Sequence, residues 1–165
     1  MSKSFDDLMA AFAGESQANR KYLAFAKKAD EEGFAQVARL FRAAAAAETV
    51  HALKHFNTAE QVKSTEENLK AAIAGEHYEN SEMYPGFIKD AEAEGDSKAL
   101  KSFTWANEVE KVHEMLYKEA LATLGKPGET YDYYICPFCG YTHARTAPEK
   151  CPVCGALGSK FERIS

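Results

Sequence analysis

Two Glu-x-x-His motifs are the residues of this sequence with the clearest chemical potential. Glu48 is followed three positions later by His51, and Glu110 is followed at the same spacing by His113. Residues three apart lie on one face of a helix, so each motif presents a carboxylate and an imidazole in the same direction. A single motif of this kind is ordinarily a solvated helix face, but two in register across a repeat indicate metal ligation.

Further glutamates lie at matching places in the same repeat. Segment 10–15 reads Ala-Ala-Phe-Ala-Gly-Glu and segment 71–76 reads Ala-Ala-Ile-Ala-Gly-Glu, so Glu15 and Glu76 are equivalent. Glu79 follows Glu76 by three positions, about one helical turn. The repeat predicts a duplicated helix pair, and a site on its pseudo-twofold axis would receive ligands from both halves.

The charge of these side chains requires compensation. Five glutamates lie on otherwise apolar helical stripes, and no cluster of lysine or arginine shares those stripes. Buried carboxylates repel one another unless cations neutralise them. A Glu from each of two helices and a Glu-x-x-His from each of two others is the ligand pattern of dimetal carboxylate bundles. The pattern predicts Glu15, Glu48, His51, Glu76, Glu110 and His113 as ligands and leaves Glu79 as a surplus carboxylate one turn from Glu76.

The identity of the bundle metal is only partly determined by these ligands. Oxygen-rich sites with one imidazole for each metal suit iron or manganese, and zinc remains open.

Four cysteines form two Cys-x-x-Cys pairs near the C-terminus. Cys136 and Cys139 make the first pair, Cys151 and Cys154 the second, and eleven residues separate the pairs. In a reducing compartment this pattern indicates a metal site rather than a disulfide framework. Tetrahedral thiolate ligation fits zinc and iron equally on ligand chemistry alone.

Long helices must position the carboxylates and imidazoles. Good helix formers dominate the chain up to residue 124. The sequence predicts helices near 4–31, 34–62, 65–93 and 97–124. Ser4 and Ser64 are predicted to cap the first and third helices, and Pro85 is predicted to kink the third. Short connections between long helices favour an all-α, antiparallel four-helix bundle.

Composition changes after the fourth helix and predicts a second domain. We expect the bundle domain at 1–125, a linker at 126–131 and a cysteine domain at 132–165. So short a C-terminal segment cannot bury enough surface to fold alone, so the cysteine-bound metal must stabilise it.

Overall composition excludes some functions. The chain has 165 residues and a net charge of −5, which disfavours nucleic acid as a partner. No apolar run reaches the length of about 18 residues that indicates a membrane span. The first residues do not resemble a signal peptide, so we expect a cytoplasmic protein.

Taken together, the motifs resemble the rubrerythrin family over essentially the whole chain. The matching pieces are Ala13-Gly-Glu-Ser-Gln-Ala18 with Tyr22, Ala74-Gly-Glu-His-Tyr-Glu79, Glu82-Met-Tyr-Pro85, both Glu-x-x-His motifs and the paired Cys-Pro-x-Cys-Gly knuckles. The resemblance implies a ferritin-like di-iron bundle joined to a rubredoxin-like domain with one cysteine-bound iron. It also implies reduction of hydrogen peroxide to water in defence against oxidative stress.

The resemblance further implies that the six ligands predicted above, together with Glu79, hold the di-iron centre and are the catalytic residues. Glu79 and His51 would exchange on one iron as its oxidation state changes, since ferric iron favours carboxylate and ferrous iron tolerates imidazole. Tyr22 and Tyr84 would orient ligands. The cysteine site would hold iron, although zinc can replace it in the purified protein. The electron donor would be a reduced rubredoxin or a flavoprotein reductase.

A homodimer, head-to-tail or domain-swapped, is also expected. Eleven helical residues follow His113, roughly 16 Å, so one chain's cysteine site is expected to lie far from its own bundle ligands. Two alternatives stay open at this point. One is a ferritin-like protein that oxidises and stores iron, and the other is a non-redox protein with a zinc ribbon.

Overall fold

The computed structural model describes residues 2–165; Met1, the first residue of the predicted bundle domain, lies outside the described residues. The chain divides into two compact units, one ending at Lys63 and one beginning at Ser64. The domain boundaries predicted at 125 and 132 stay predictions.

The first unit is a helical hairpin of α1 (Lys3–Glu31) and α2 (Ala35–Thr58). Ser2, and not the predicted Ser4, caps α1, because the Ser2 hydroxyl accepts a hydrogen bond from the Phe5 N–H at 3.3 Å. Helix α2 ends four residues before the predicted position 62.

Alanines occupy the most deeply buried positions of the contact between α1 and α2. The residues of this pair that are at most 7% exposed are Ala26, Ala29, Ala38, Ala45, Ala52 and Ala59. Small side chains let two helix backbones approach closely, but they bury little apolar surface. Large apolar side chains of α2 remain exposed, among them Leu40 at 66% and Val50 at 63%.

The second unit begins with the third predicted helix, which has an interruption. It consists of α3 (Thr65–Tyr78), a π-helical turn (Glu79–Met83) and α4 (Tyr84–Glu94). The predicted capping box at its start is confirmed, since Ser64 and Glu67 each accept a hydrogen bond from the other's backbone N–H.

The kink predicted at Pro85 stays a prediction. Pro85 lies in the first turn of α4, where a missing N–H costs little. The hydrogen-bond ladder is irregular just before it, where the Tyr84 N–H bonds to the Glu79 carbonyl five residues back. A wide turn of this kind re-aims side chains without ending the helix.

Side chains satisfy two carbonyls beside the π-helical turn. The Asn80 amide donates to the Glu76 carbonyl at 2.7 Å, and the Ser81 hydroxyl donates to the His77 carbonyl at 2.6 Å. Backbone acceptors therefore keep partners where the regular ladder changes register.

Helix α5 (Ser97–Thr123) packs antiparallel to α3 and α4. Asp96 caps it by accepting bonds from the Lys98 and Ala99 N–H groups at 3.0 Å. Aromatic side chains line the contact, with the rings of Phe87 and Phe103 5.4 Å apart. Within residues 2–165, no helix combines the length and the apolar character that crossing a membrane requires.

The C-terminal part of the second unit is a three-stranded antiparallel sheet. Its strands are β1 (Tyr133–Ile135), β2 (Thr142–Ala144) and β3 (Glu162–Ile164), in the order β2-β1-β3. Gly158 lies so close to Pro148 that an added Cβ would sit 1.8 Å from its carbonyl oxygen. Only glycine fits at that position.

Candidate metal centres

The first helix pair brings together three of the predicted ligands. Glu15 lies on α1, and Glu48 and His51 lie on α2, with one ligand atom of each within 4.8 Å of the others. The His51 Nδ1 atom is 2.9 Å from a Glu48 oxygen and 3.9 Å from a Glu15 oxygen. All three side chains thus direct their donor atoms at one point.

The second unit repeats this triad. Glu76 on α3 meets Glu110 and His113 on α5, again with ligand atoms within 4.8 Å of one another. The His113 Nδ1 atom is 2.7 Å from a Glu110 oxygen. Each unit therefore offers two carboxylates and one imidazole, as the sequence repeat predicted.

Repulsion between carboxylates marks the second triad. Burial, and then the neighbouring Glu110, raise the pKa of Glu76 to about 7. Burial and Glu110 also raise the pKa of Glu79. Within residues 2–165, histidine is the only basic side chain that pairs with the ligand carboxylates. A bound cation would relieve this repulsion, so the triads fit metal ions.

The remaining predicted bundle residues lie close by. Glu79 begins the π-helical turn and stands outside the three-residue group. Burial and then Glu110 raise the pKa of the Tyr84 hydroxyl, which places that phenol beside the second triad. Tyr22 packs in the first pair, with its ring 6.2 Å from that of Phe41.

The four cysteine sulfurs form a single cluster in the second unit. Cys136 and Cys154 have Sγ atoms 3.5 Å apart, and so do Cys139 and Cys151. Metal–sulfur bonds of about 2.3 Å in a tetrahedron place sulfurs about 3.8 Å apart, close to the observed separation.

The two cysteine knuckles share one backbone geometry. Gly140 and Gly155, each following the second cysteine of its pair, adopt left-handed φ values of 84° and 77°. These turns aim N–H groups at sulfur, as predicted. Burial raises the pKa of the Cys139 thiol, so a bound cation is needed to hold the group as thiolate.

Comparison with known proteins agrees with both kinds of site. A family model described as "Rubrerythrin" matches residues 6–121, and one described as "Rubrerythrin, rubredoxin-like domain" matches residues 134–162. The chain belongs to the rubrerythrin family. Its fold class is therefore the predicted one, ferritin-like helices with a C-terminal rubredoxin-like domain.

Individual relatives cover nearly all of this rubrerythrin. Nigerythrin of Nitratidesulfovibrio vulgaris is 42% identical over 92% of this chain and 81% of the relative. Rubrerythrin of Porphyromonas gingivalis is 36% identical over 98% of this chain and 90% of the relative. A solved structure of fully reduced, all-ferrous nigerythrin has a TM-score of 0.61 and 38% identity, covering 99% of this chain and 88% of that one.

Family membership settles the coarse function and the cofactors. The protein is a di-iron oxidoreductase of the oxidative-stress type, with a di-iron site and a rubredoxin-like tetracysteine iron site. The structure's donor atoms fit both, since oxygen and imidazole surround one kind of site and four sulfurs the other. The cytoplasmic location stays a prediction.

Sequence reasoning missed a buried carboxylate in this rubrerythrin. Glu114 on α5 is 9% exposed and accepts hydrogen bonds from Asn80 at 2.7 Å and Lys118 at 2.6 Å. These bonds, Lys118 first, lower its pKa, and His77 lies 3.2 Å away. Since Asn80 belongs to the π-helical turn, Glu114 anchors the turn that carries Glu79.

Sequence reasoning also missed Thr142, and the contact it makes differs from expectation. The Thr142 hydroxyl lies 3.0 Å from the Nε2 atom of His113 in the same chain. The cysteine domain was expected to lie far from its own chain's ligands, on the assumption that it continues the direction of α5. Instead the chain turns back after α5, so β2 contacts that helix.

Proposed function

We propose that this rubrerythrin reduces hydrogen peroxide to two molecules of water with two electrons and two protons. The reaction occurs at the di-iron site of the family, and the candidate ligands are the triad of each helix pair. The observation that supports this is the repetition of the triad, two carboxylates and one imidazole, in each pair. Each triad supplies donors for one ion, and the repeat relates the two.

The side chains around the site have separate tasks in this proposal. The glutamates hold two cations close together and compensate their charge. Iron, when bound in the ferrous state, supplies the two electrons. Tyr84 lies beside Glu76, Glu79 and Glu110 and keeps its phenolic proton at neutral pH, so it can donate a hydrogen bond to an oxygen near them. The tetracysteine site serves as the entry point for electrons from a reduced rubredoxin or a flavoprotein reductase.

Glu110→Gln is the direct test of peroxide reduction at this site. Anaerobically reduced, iron-loaded protein is mixed with hydrogen peroxide, and peroxide consumption is followed together with the visible absorption of the cysteine-bound iron. We expect Glu110→Gln to lose peroxide reduction and to show, in its separately oxidised form, the same red ferric tetrathiolate colour as the wild type. Glu108→Gln is the matched control, because Glu108 lies on the same helix and pairs with Lys111 at the surface.

Other results would contradict the proposal in distinguishable ways. Full peroxide reduction in Glu110→Gln would show that peroxide is not reduced at this site. Iron uptake far beyond the di-iron and tetracysteine sites, with slow peroxide reduction, would favour iron storage. A colourless protein that holds zinc after anaerobic iron loading would favour the non-redox alternative.

We also propose that the protein is a homodimer in which a second copy covers the exposed apolar residues of the first helix pair. The almost fully buried residues of the pair are alanines, and half-buried aromatic rings such as those of Phe12 and Phe56, 4.6 Å apart, also join the two helices. Leu40, Val50 and Leu53 of α2 remain more than half exposed. Burial contributes about 25 cal/mol for each Å² of apolar surface, so a second copy that covers these side chains would stabilise the pair.

Sedimentation of paired variants tests the homodimer. We expect the iron-loaded wild type to sediment as a dimer and Leu40→Lys to shift it towards monomer. Lys54→Gln, an exposed polar position of the same helix, should leave the dimer intact. A wild type that is monomeric at micromolar concentration, with full peroxide turnover, would refute the assembly.

A further inference from the structure

The imidazole of His113 is held at both of its nitrogens. Nδ1 faces Glu110 at 2.7 Å, on the side of the triad. Nε2 faces the Thr142 hydroxyl at 3.0 Å, on the side of the cysteine domain. The Thr142 hydroxyl also donates to the Gly140 carbonyl at 3.2 Å.

The contacts of Thr142 favour one tautomer of His113. A threonine hydroxyl has a single proton, and the Gly140 carbonyl, which can only accept, lies within its reach. When Thr142 donates that proton to Gly140, its oxygen accepts from His113, and Nε2 carries a proton. In the neutral imidazole, Nδ1 then keeps its lone pair and points it into the triad, as a metal ligand requires.

The cysteine knuckle determines where the Thr142 hydroxyl lies. Gly140 directly follows Cys139, and Thr142 pairs in the sheet with Ile135, which directly precedes Cys136. The Cys136 N–H is bonded to the Tyr141 carbonyl at 2.9 Å, which closes the knuckle between the two cysteines. A metal that orders the cysteines therefore also orders the hydroxyl that contacts His113.

We propose that Thr142 is a positioning residue that couples the two metal sites: a filled cysteine site holds His113 in the orientation and tautomer that binds metal. The inference rests on the assignment of His113 as a ligand in the proposed function. It does not depend on peroxide as the oxidant. Since coupling between two sites is reciprocal, metal at the His113 triad also favours the ordered knuckle.

His51 is the internal contrast. Its Nδ1 atom also contacts its motif glutamate, but its side chain is 55% exposed. Within residues 2–63, no hydrogen bond to its Nε2 atom is formed. The two imidazoles therefore differ in the support of the outer nitrogen, and the coupling is a property of the second triad.

Three variants distinguish the loss of the Thr142 hydroxyl from a general disturbance of the fold. Thr142→Val keeps the size and the strand preference and removes the hydroxyl, whereas Thr142→Ser restores a hydroxyl. Thr104→Val, on the same helix as His113, loses a hydroxyl that bonds only its own helix carbonyl. Thr104→Val controls for the general effect of removing a threonine hydroxyl.

Nitrogen NMR of histidine-labelled, zinc-loaded protein reads the tautomer without any turnover. We expect a slowly exchanging His113 Nε2 proton in the wild type, Thr142→Ser and Thr104→Val, and its loss or rapid exchange in Thr142→Val. An unchanged His113 signal in Thr142→Val would overturn the positioning role.

Anaerobic titration with ferrous ion measures the coupling, with the cysteine site either filled with zinc or kept empty by the substitutions Cys139→Ser and Cys154→Ser. We expect Thr142→Val to weaken ferrous binding in the bundle by about 10- to 100-fold, and the filled cysteine site to help the wild type but not this variant. Equal wild-type affinities for the filled and empty forms would refute the coupling. If His113→Ala binds ferrous ion like the wild type, the ligand assignment itself fails; if only Thr142→Val does, this inference alone fails.

Discussion

The two helix pairs carry the same triad in different surroundings. In the first pair, alanines separate α1 from α2, and the three ligands lie on regular helices. In the second pair, a π-helical turn interrupts the helix that carries Glu76, and a buried carboxylate, Glu114, lies one turn beyond Glu110. Both pairs thus carry the same metal-binding pattern, but different contacts hold the ligand side chains in place.

An asparagine in each pair illustrates this difference. Asn19 follows Glu15 by one turn and donates to the Ala45 carbonyl at 2.7 Å and the Thr49 hydroxyl at 2.8 Å. Asn80 follows Glu76 by the same interval and donates to the Glu114 carboxylate. Asn19 therefore stabilises a helix contact between neutral groups in the first pair, whereas Asn80 stabilises a charged cluster in the second.

The largest effect is expected when either triad loses a carboxylate, and it tests whether the two triads are chemically equivalent. Glu48→Gln and Glu110→Gln remove matching carboxylates, one from each pair. We expect both to lower peroxide turnover by more than the roughly 10- to 100-fold typical of residues that only support a ligand. Steady-state peroxide assays on iron-loaded protein measure this. A large loss in only one variant would show that the two triads are not equivalent in the reaction.

The sequence predicted the triads because the repeat is visible in the residues themselves. Segments 10–15 and 71–76 place Glu15 and Glu76 in register, and helix periodicity brings each glutamate of a Glu-x-x-His motif beside its histidine. The cysteine cluster was equally predictable, since the spacing of two Cys-x-x-Cys pairs defines the knuckles.

Other features could not be predicted because they depend on tertiary contacts. Pro85 indicated an irregular third helix, but the π-helical turn ahead of it depends on side chains that bond released carbonyls. In the sequence, Glu114 resembles an ordinary acid on a helix surface. Its hydrogen bond from Asn80 is visible only in the folded structure. Thr142 has no sequence signal, since its contact with His113 depends on how the chain turns after α5.

The close packing of α1 against α2 depends on the small size of the buried alanines between them. Ala38 is fully buried, and a leucine there would force the two helices apart. We expect Ala38→Leu to lower the free energy of unfolding by about 1–3 kcal/mol, as overpacking does. Ala47→Leu, at an exposed position of α2, should change it by less than about 0.5 kcal/mol. Urea denaturation compares them; similar losses would mean that close approach of α1 and α2 is not required.

Asn80 and Asn19 are expected to contribute different, smaller amounts to the free energy of unfolding, because one bonds a buried carboxylate and the other bonds neutral groups. Asn80→Ala removes a donor from the buried Glu114 carboxylate and should cost about 1–3 kcal/mol of unfolding free energy. Asn19→Ala removes hydrogen bonds between neutral groups and should cost about 1 kcal/mol. Thermal unfolding at constant pH separates the variants. An equal loss in both would argue that Lys118 alone compensates Glu114.

The smallest expected effect is a pH dependence of the metal-free protein. The Glu76 pKa, raised to about 7 by burial and Glu110, means that the folded chain keeps a proton that the unfolded chain releases above its ordinary value of 4.5. The free energy of unfolding must therefore fall as the pH rises through this interval. The His113 pKa is also raised, chiefly by its bond to Glu110, and stability from that protonated imidazole is likewise lost as the pH rises.

Because Glu76 is partly exposed, solvent screening reduces the effect, and we expect a loss of about 1 kcal/mol between about pH 5 and pH 8. Urea denaturation of metal-free protein at both pH values measures it. Glu76→Gln should make the profile shallower, since the amide has no proton to release and the contribution of His113 remains, whereas Glu15→Gln should retain the slope. A metal-free wild type that gains stability over this interval would mean that Glu76 and Glu110 do not repel each other in the folded chain.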